Sequence, residues 1–405
     1  MPQPPPPPPV RPVSPWAVAV LLAMVFVSLL GTGVVVPLLP FYGLLFKVEP
    51  WKVSLLFALF SAGQFLGELT WGRLSDRIGR RPVILITVLG AAVGHLGMAF
   101  APNIWIAIAA RTMGGFFSGN VSTLQSYMVD VSPPERLAGR LGMIGSALGV
   151  GFIIGPTIGG LLARPEHGLA GFRAPLLIAA GACVLSALGG LILLPETRRP
   201  APGPARAGGV LSALGAALGE PVLQRLLAST FIAFAGYSGT WAVIGLWGDA
   251  AYGWGPREVG FLLAGTGLGV VAGQGLLAGP AARRLGEVAA IACGLGTTAL
   301  TFTLVALSHW ETGARILLLV AVASNAMAQP AANQLISRAA GPDRQGAILG
   351  ANAAAGALAR VVGPVIAGFL FAAVGHNAPF LFAAAAMVPA ILLAWRGARR
   401  LRMQT

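Results

Sequence analysis

The chain concentrates its reactive side chains in a few places. GRLSDRIGRRP, residues 72–82, sets four arginines and one aspartate in eleven positions between two apolar runs. Single ionisable groups also stand inside such runs: Glu68, His95, Arg111 and Arg360. At the middle of a membrane each would cost roughly 2.5–3.5 kcal/mol on insertion scales, so retention points to function. Glu68 reads either as a desolvated proton carrier or as an interfacial partner of Arg73 or Arg77. His95 either titrates near neutral pH or is held neutral by a hydrogen bond. Arg111 and Arg360 either face a central cavity or bond to backbone carbonyls and to amides such as Asn120 and Asn352. Asp249 reads as a gate residue or an exposed loop carboxylate. Asp76 suits a helix N-terminus or a neighbouring guanidinium. A charged clasp that forms in one state and breaks in another would lock a moving bundle. No GxxxxGK[ST], HExxH or paired-cysteine metal spacing occurs, so neither direct use of ATP, a metal site nor an enzyme is expected.

Elements that can hold such groups follow from composition. Of 405 residues, 56% are hydrophobic and 10% charged, with a mean hydropathy of +0.78. A soluble domain is about 25% charged, so a lipid-facing surface is required. Apolar stretches of roughly 20 residues, enough to span a bilayer as helices, recur throughout. Twelve spans are expected: 16–40, 51–72, 82–101, 103–129, 138–162, 173–194, 222–248, 257–280, 287–308, 313–337, 344–374 and 378–395. This makes an all-α transmembrane fold of two six-helix bundles, 16–194 and 222–395. Residues 1–15 form a disordered proline-rich tail and 195–221 a cytoplasmic linker beginning PETRRPAPGPARAGG. Residues 396–405 form a basic cytoplasmic tail. No removable signal peptide is apparent in the sequence. Cys183 and Cys293 read as small buried hydrophobes.

The halves look like copies. PPERLAGRLGMIGSALGVGFIIGPTIGGLL from 133 aligns with GPDRQGAILGANAAAGALARVVGPVIAGFL from 341 at an offset of 208. Pro134, Arg136, Gly142, Gly155 and Pro156 meet Pro342, Arg344, Gly350, Gly363 and Pro364. An even number of spans per copy makes the repeats parallel. A net charge of +14 could suggest nucleic acid, but the arginines sit in short segments between spans. Arg73, Arg77, Arg80, Arg81, Arg136, Arg140, Arg198, Arg199, Arg206, Arg283, Arg284 and Arg338 collect on the side of the termini. That side is therefore cytoplasmic.

Residues 72–82 are expected to be a tight loop, turning at Gly72 and Gly79, with Pro82 in the next helix's first turn. GPAARRLGEV from Gly279 is a worn copy with Arg283 in place of Asp76, so the clasp is expected on one side only.

These motifs carry a resemblance. GRLSDRIGRRP resembles the loop motif of the major facilitator superfamily. Gly142, Gly151, Gly155, Pro156, Gly159 and Gly160 resemble the antiporter motif of twelve-helix drug:proton exchangers. Arg111-Thr-Met-Gly-Gly115 resembles that family's arginine motif. GTGVVVPLLP, residues 31–40, with the fifth and eleventh spans, is most similar to tetracycline efflux proteins. The resemblance implies that Gly72, Asp76, Arg77, Gly79, Arg80 and Arg81 form a conformational latch, with Asp130 as acidic partner. It implies that the fifth span packs against its counterpart in the other half. Where such exporters carry acids, this chain has Ser28 in the first span and Gly94, beside His95, in the third.

The reading is a secondary transporter exporting amphipathic small molecules by alternating access, with no cofactor and the proton gradient as energy source. The alternative is a metabolite or organic-anion transporter, which two deep arginines would suit. Arg111, Glu68, His95, Arg360, Asn120 and Gln125 are the candidate coupling and cavity residues. Phe116, Phe117, Tyr127, Phe231, Phe234, Tyr237, Trp241, Asn325, Gln329, Asn333 and Gln334 are candidates for its lining. A monomer in a bacterial cytoplasmic membrane is expected, with a small-molecule substrate, the bilayer as surroundings and no nucleic-acid partner.

Overall fold

In lipid a helix satisfies its own backbone, so long apolar runs take that form. A computed structural model describes residues 15–197, 210–341 and 343–403. Residues 1–14 of the expected tail and 198–209 of the expected linker lie outside the described residues.

The first half consists of α1 (Pro15–Val35), joined by a 3-10 turn to α2 (Leu39–Leu45), then α3 (Pro50–Ile78) and α4 (Arg80–Ala99). These are followed by α5 (Ile104–Ser118), α6 (Val121–Asp130), α7 (Pro134–Leu162) and α8 (Arg173–Leu193). A short helix, α9 (Val210–Leu218), lies in the segment expected to be linker and precedes the second half. That half consists of α10 (Pro221–Tyr252), α11 (Pro256–Val271), a π turn, α12 (Ala278–Leu285), α13 (Glu287–Leu307), α14 (Glu311–Ala340), α15 (Gln345–Ala373) and α16 (Ala378–Arg402). No strand occurs among the described residues.

Among the described residues, eleven stretches are long and apolar enough to cross a membrane. The remaining span is α5 with α6, broken at Gly119 and Asn120. Proline opens α3, α7, α10 and α11, where its missing N–H removes no helical bond. Large apolar side chains stand outward, including Leu185, Leu188, Leu191 and Ile192 on α8. Such a surface suits lipid. Cys183 is buried, whereas Cys293 is exposed, correcting the expectation for the latter.

The charged knot is not a loop. Helix α3 continues through Gly72 to Ile78, and the turn is the single residue Gly79 at φ 104°. Gly286, at φ 80°, makes the same one-residue turn between α12 and α13. Both backbones lie where side chains are strained, which explains glycine at each. The basic segment from residue 396 is likewise helical, as the end of α16.

The two ends of the bundle differ. The basic end carries the two glycine turns; there the halves have separate cores. Leu21, Met24, Ile84 and Tyr127 belong to one, and Leu223, Leu295, Leu335 and Met387 to the other. At the far end one continuous core joins both halves, with Leu38, Tyr42 and Phe172 against Trp247, Trp254 and Phe380. The bundle is therefore closed at the far end and open at the basic end. Along α7, Gly139, Gly142, Gly145 and Gly149 have no neighbour where a Cβ would stand.

Candidate functional site

The first half's charges are gathered around the turn at Gly79. Arg80 is almost buried, with 8% of its side chain exposed, and its Nε donates to Asp130 Oδ2 at 2.5 Å. Its Nη1 donates to Ser75 Oγ at 3.3 Å and lies 3.5 Å from Asp76 Oδ1. Thr197 Oγ1 donates to Asp130 Oδ2 at 3.2 Å. The N-terminus of α4 is capped by a residue that the sequence reading did not single out. Glu196 accepts the backbone N–H groups of Arg80 and Arg81 at 3.0 and 3.1 Å. Its position between Pro195 and Thr197 gave no motif to find it by. Arg81 donates to the Leu191 carbonyl. Arg77 is exposed and has no ion pair among the described residues. These partners all belong to the first half or to the two residues Glu196 and Thr197 just beyond α8, so in this conformation the clasp ties α3, α4, α6 and the end of α8 together.

The second half has a clasp too, with its charges reversed. Glu287 opens α13 where Arg80 opens α4, each directly after its glycine turn. Arg338, near the end of α14, occupies the repeat position of Asp130 and donates to both Glu287 oxygens at 3.1 Å. The expectation of a one-sided clasp is thus corrected. Comparison of Asp76 with Arg283 alone missed it, because the pair that persists is a different one and its signs are exchanged.

A cavity of about 460 Å³ opens between the halves. Most of its wall comes from the second half. Asn325, Gln329 and Asn333 of α14 and Asn352 of α15 supply amides; Phe234, Ile291 and Leu295 supply apolar surface. Asn352 Nδ2 donates to Asn333 Oδ1 at 2.9 Å. Arg360 enters from α15 and Glu68 from α3. Glu68 stands ten residues from the end of α3, about 15 Å at helical rise, because α3 is longer than expected. It makes no ion pair with Arg73 or Arg77 among the described residues.

The sequence profile of the Major Facilitator Superfamily matches residues 21–249 and 226–403, almost the whole chain. The chain belongs to the Major Facilitator Superfamily. A class C tetracycline resistance protein of Escherichia coli is 33% identical over 368 residues, 88% of this chain and 90% of that protein. Multidrug resistance protein 2 of Bacillus subtilis (strain 168) is 26% identical over 376 residues, 91% and 92% of the two chains. Among solved structures, a bacterial homologue of the human lysosomal transporter Spinster, inward-facing and unoccupied, is similar with a TM-score of 0.72 at 17% identity, covering 96% of each chain. The human organic anion transporter TETRAN is similar with a TM-score of 0.66 at 23% identity, covering 96% of this chain and 100% of that one. This chain is therefore an integral membrane transporter and not an enzyme.

Within the superfamily fold, the antiporter-motif glycines lie on α7 and do different things. A Cβ at Gly155 would stand 2.6 Å from the Leu30 carbonyl of α1, and one at Gly151 2.8 Å from that of Phe26. Gly159 faces Val34 of the same helix. Gly160 instead faces the other half: its Cβ would stand 2.6 Å from the Pro256 carbonyl, and one at Gly260 2.6 Å from that of Pro156. The cross-half partner of α7 is thus α11. Its repeat counterpart α15 packs on α3, with Trp51 stacked on Phe369 at 5.8 Å. This corrects the expected pairing. Backbones meet closely only where glycine removes the side chain, and Gly160 and Gly260 supply that reciprocally. Gly142 is exposed, and a Cβ there would meet nothing within 4 Å.

Arg111 and His95 do not reach the large cavity. They share a void of about 10 Å³ with Thr32, Phe60 and Ser118. Only 4% of Arg111 is exposed; its guanidinium lies 3.9 Å from the Phe60 ring centroid, and its Nε has no hydrogen-bond partner. Asn120 does not reach it but donates from Nδ2 to Thr87 Oγ1 at 2.7 Å, stitching the broken fourth span to α4. Gln125 is exposed on α6, outside the cavity wall. Phe116 and Phe117 pack on Trp71, Tyr127 donates to the Pro195 carbonyl, and Tyr237 stacks on Phe302. Gln334 lines a separate depression beside Arg338.

Proposed function

We propose that this transporter exports amphipathic small molecules, tetracycline-like drugs among them, in exchange for protons. The carrying observation is the cavity between repeat halves, open at the basic end and closed at the far end. The excess of arginine at the basic end supports a cytoplasmic location for it, with both termini inside. The cavity then loads from the cytoplasm or inner leaflet. The resemblance to tetracycline and multidrug resistance proteins of bacteria supports export across a bacterial inner membrane. Glu68 is the carboxylate positioned to exchange a proton for substrate, since it lines the cavity and no other acid does among the described residues. No cofactor is needed, and the transporter works as a monomer in the bilayer without a nucleic-acid partner.

An organic-anion function loses its main support. Of the two deep arginines, Arg111 is walled off from the cavity and Arg360 shares it with Glu68.

The test uses purified protein in liposomes loaded with buffer at one pH and diluted into another. Tetracycline is expected to move against the imposed proton flow, and the Glu68→Gln variant to lose that dependence. Tetracycline flux indifferent to the gradient would remove the antiport reading.

A further inference from the structure

The large cavity holds one charge of each sign, and each comes from a different half. Glu68 stands on α3 and Arg360 on α15; no other ionisable side chain lines the cavity among the described residues. No ion pair within 4.0 Å joins them, and neither has another ion-pair partner among the described residues. Arg360 folds back along its own helix over Gly356, where a Cβ would stand 3.9 Å from its Nη1.

Opposite charges held apart in one cavity select by charge pattern. Their monopole fields largely cancel at a distance, so net charge on a ligand gains little. A monocation is drawn to Glu68 and repelled by Arg360; a monoanion meets the reverse. A molecule carrying both an ammonium and a carboxylate is favoured at both ends. Charge-assisted hydrogen bonds of this kind are the strong ones, and a guanidinium can hold a carboxylate through two parallel bonds.

Building on the transporter reading above, the geometry points to a zwitterion site: Arg360 takes the substrate's carboxylate, Glu68 takes its ammonium, and Phe234, Ile291 and Leu295 hold its apolar body. The occupant then bridges α3 and α15, helices from different halves that already pack together at the far end. Binding at this site therefore acts on the relative position of the two halves.

The test uses the full chain in detergent and three probes built on one apolar body. These are 3-(2-naphthyl)alanine as the zwitterion, its methyl ester as the cation and its N-acetyl derivative as the anion. Titration calorimetry is expected to rank the zwitterion about tenfold or more tighter than either derivative, the effect of losing one charge-assisted hydrogen bond. With Arg360→Gln the zwitterion should bind no better than the ester. With Glu68→Gln it should bind no better than the N-acetyl form. The double exchange Glu68→Arg with Arg360→Glu should restore the zwitterion's lead. Equal affinities for the three probes in the wild type, a charged derivative ranked first, or no binding overturns the assignment, as does a ranking that survives both glutamine variants. The wild-type ranking stands even where a variant fails to fold. Gradient-driven tetracycline transport by the same preparation separates the two readings. Flat ranking with intact transport overturns the zwitterion site alone; intact ranking without gradient-driven transport overturns proton-driven export alone.

Discussion

The two halves of this transporter make the same turn with opposite charges. In the first, a cation opens the helix after the turn and pairs with an acid at the end of α6. In the second, an acid opens the helix and pairs with a cation near the end of α14. The repeat has preserved a glycine at positive φ and the placement of a pair, and has let the signs change. The signs have unequal consequences. A helix N-terminus favours negative charge, so Glu287 stabilises the start of α13 directly. Arg80 sits at the same place with the unfavourable sign. The first half offsets this with Glu196, whose carboxylate receives the N–H groups of Arg80 and Arg81. The matching end of the second half, residues 396–405, contains no acid; with Glu287 already at the start of α13, none is needed there. Exposure differs as well: Arg80 and Asp130 are 8% and 29% exposed, whereas Arg338 is 63% exposed beside Glu287 at 13%.

This comparison is broken most directly by removing each cation. Arg80→Ala leaves Asp130 part-buried without its partner and should cost about 3 kcal/mol. Arg338→Ala leaves Glu287, only 13% exposed, without its partner, but the N-terminus of α13 still favours that carboxylate, so the cost should be smaller, about 1–2 kcal/mol. Denaturant titration of the purified protein in mixed micelles measures both. Equal losses would mean that neither the burial of Arg80 nor the helix N-terminus beside Glu287 separates the two clasps.

The polarity itself can be exchanged. Arg80→Glu with Asp130→Arg gives the first half the second half's signs, but sets a second carboxylate beside that of Glu196. That double variant should stay well below wild type. Adding Glu196→Gln should recover about 2 kcal/mol, because the like-charge contact is then gone and the N-terminus keeps its acid. If the triple variant is no more stable than the double, Glu196 does not serve to offset the sign of Arg80.

Much of this architecture was legible in the residues. Apolar run length identified the spans, and the repeat at an offset of 208 identified the halves, because both are periodic and local. What was hidden depends on contacts between distant segments. Glu68 reads as interfacial only while α3 is taken to end near Gly72; the continuation of the helix to Ile78 puts it deep. The fourth span was expected to be continuous; Gly119 and Asn120 are weak helix formers, but the stitch to α4 that fixes the break is a tertiary hydrogen bond from Asn120. Arg111 and Arg360 look alike in sequence, each a lone cation in an apolar run. Packing alone sends one to a closed void under Phe60 and the other to the cavity. The inverted clasp was overlooked for a chemical reason: motif comparison weighs residue identity, and an ion pair keeps its attraction when both signs reverse.

The smallest expected effect discriminates most finely between the halves. Gly79 and Gly286 have similar backbone angles, φ 104° and 80°, so alanine at either meets a similar backbone penalty, about 2 kcal/mol. Their surroundings differ. A Cβ at Gly79 would stand 2.6 Å from Glu196 Oε2, while one at Gly286 meets nothing within 4 Å. Gly79→Ala must therefore also displace the carboxylate that caps α4, and a capping group is worth about 1 kcal/mol. The excess of Gly79→Ala over Gly286→Ala should be of that size, about 1 kcal/mol. Glu196→Ala supplies the control, since once the cap is gone there is nothing left to displace. In that background the two glycine substitutions should cost the same, giving a coupling of about 1 kcal/mol between positions 79 and 196 and none between 286 and 196. A cycle in which Gly79→Ala keeps its excess without Glu196 would assign the difference to backbone strain, and the glycine turns would then be unequal for a reason unrelated to charge.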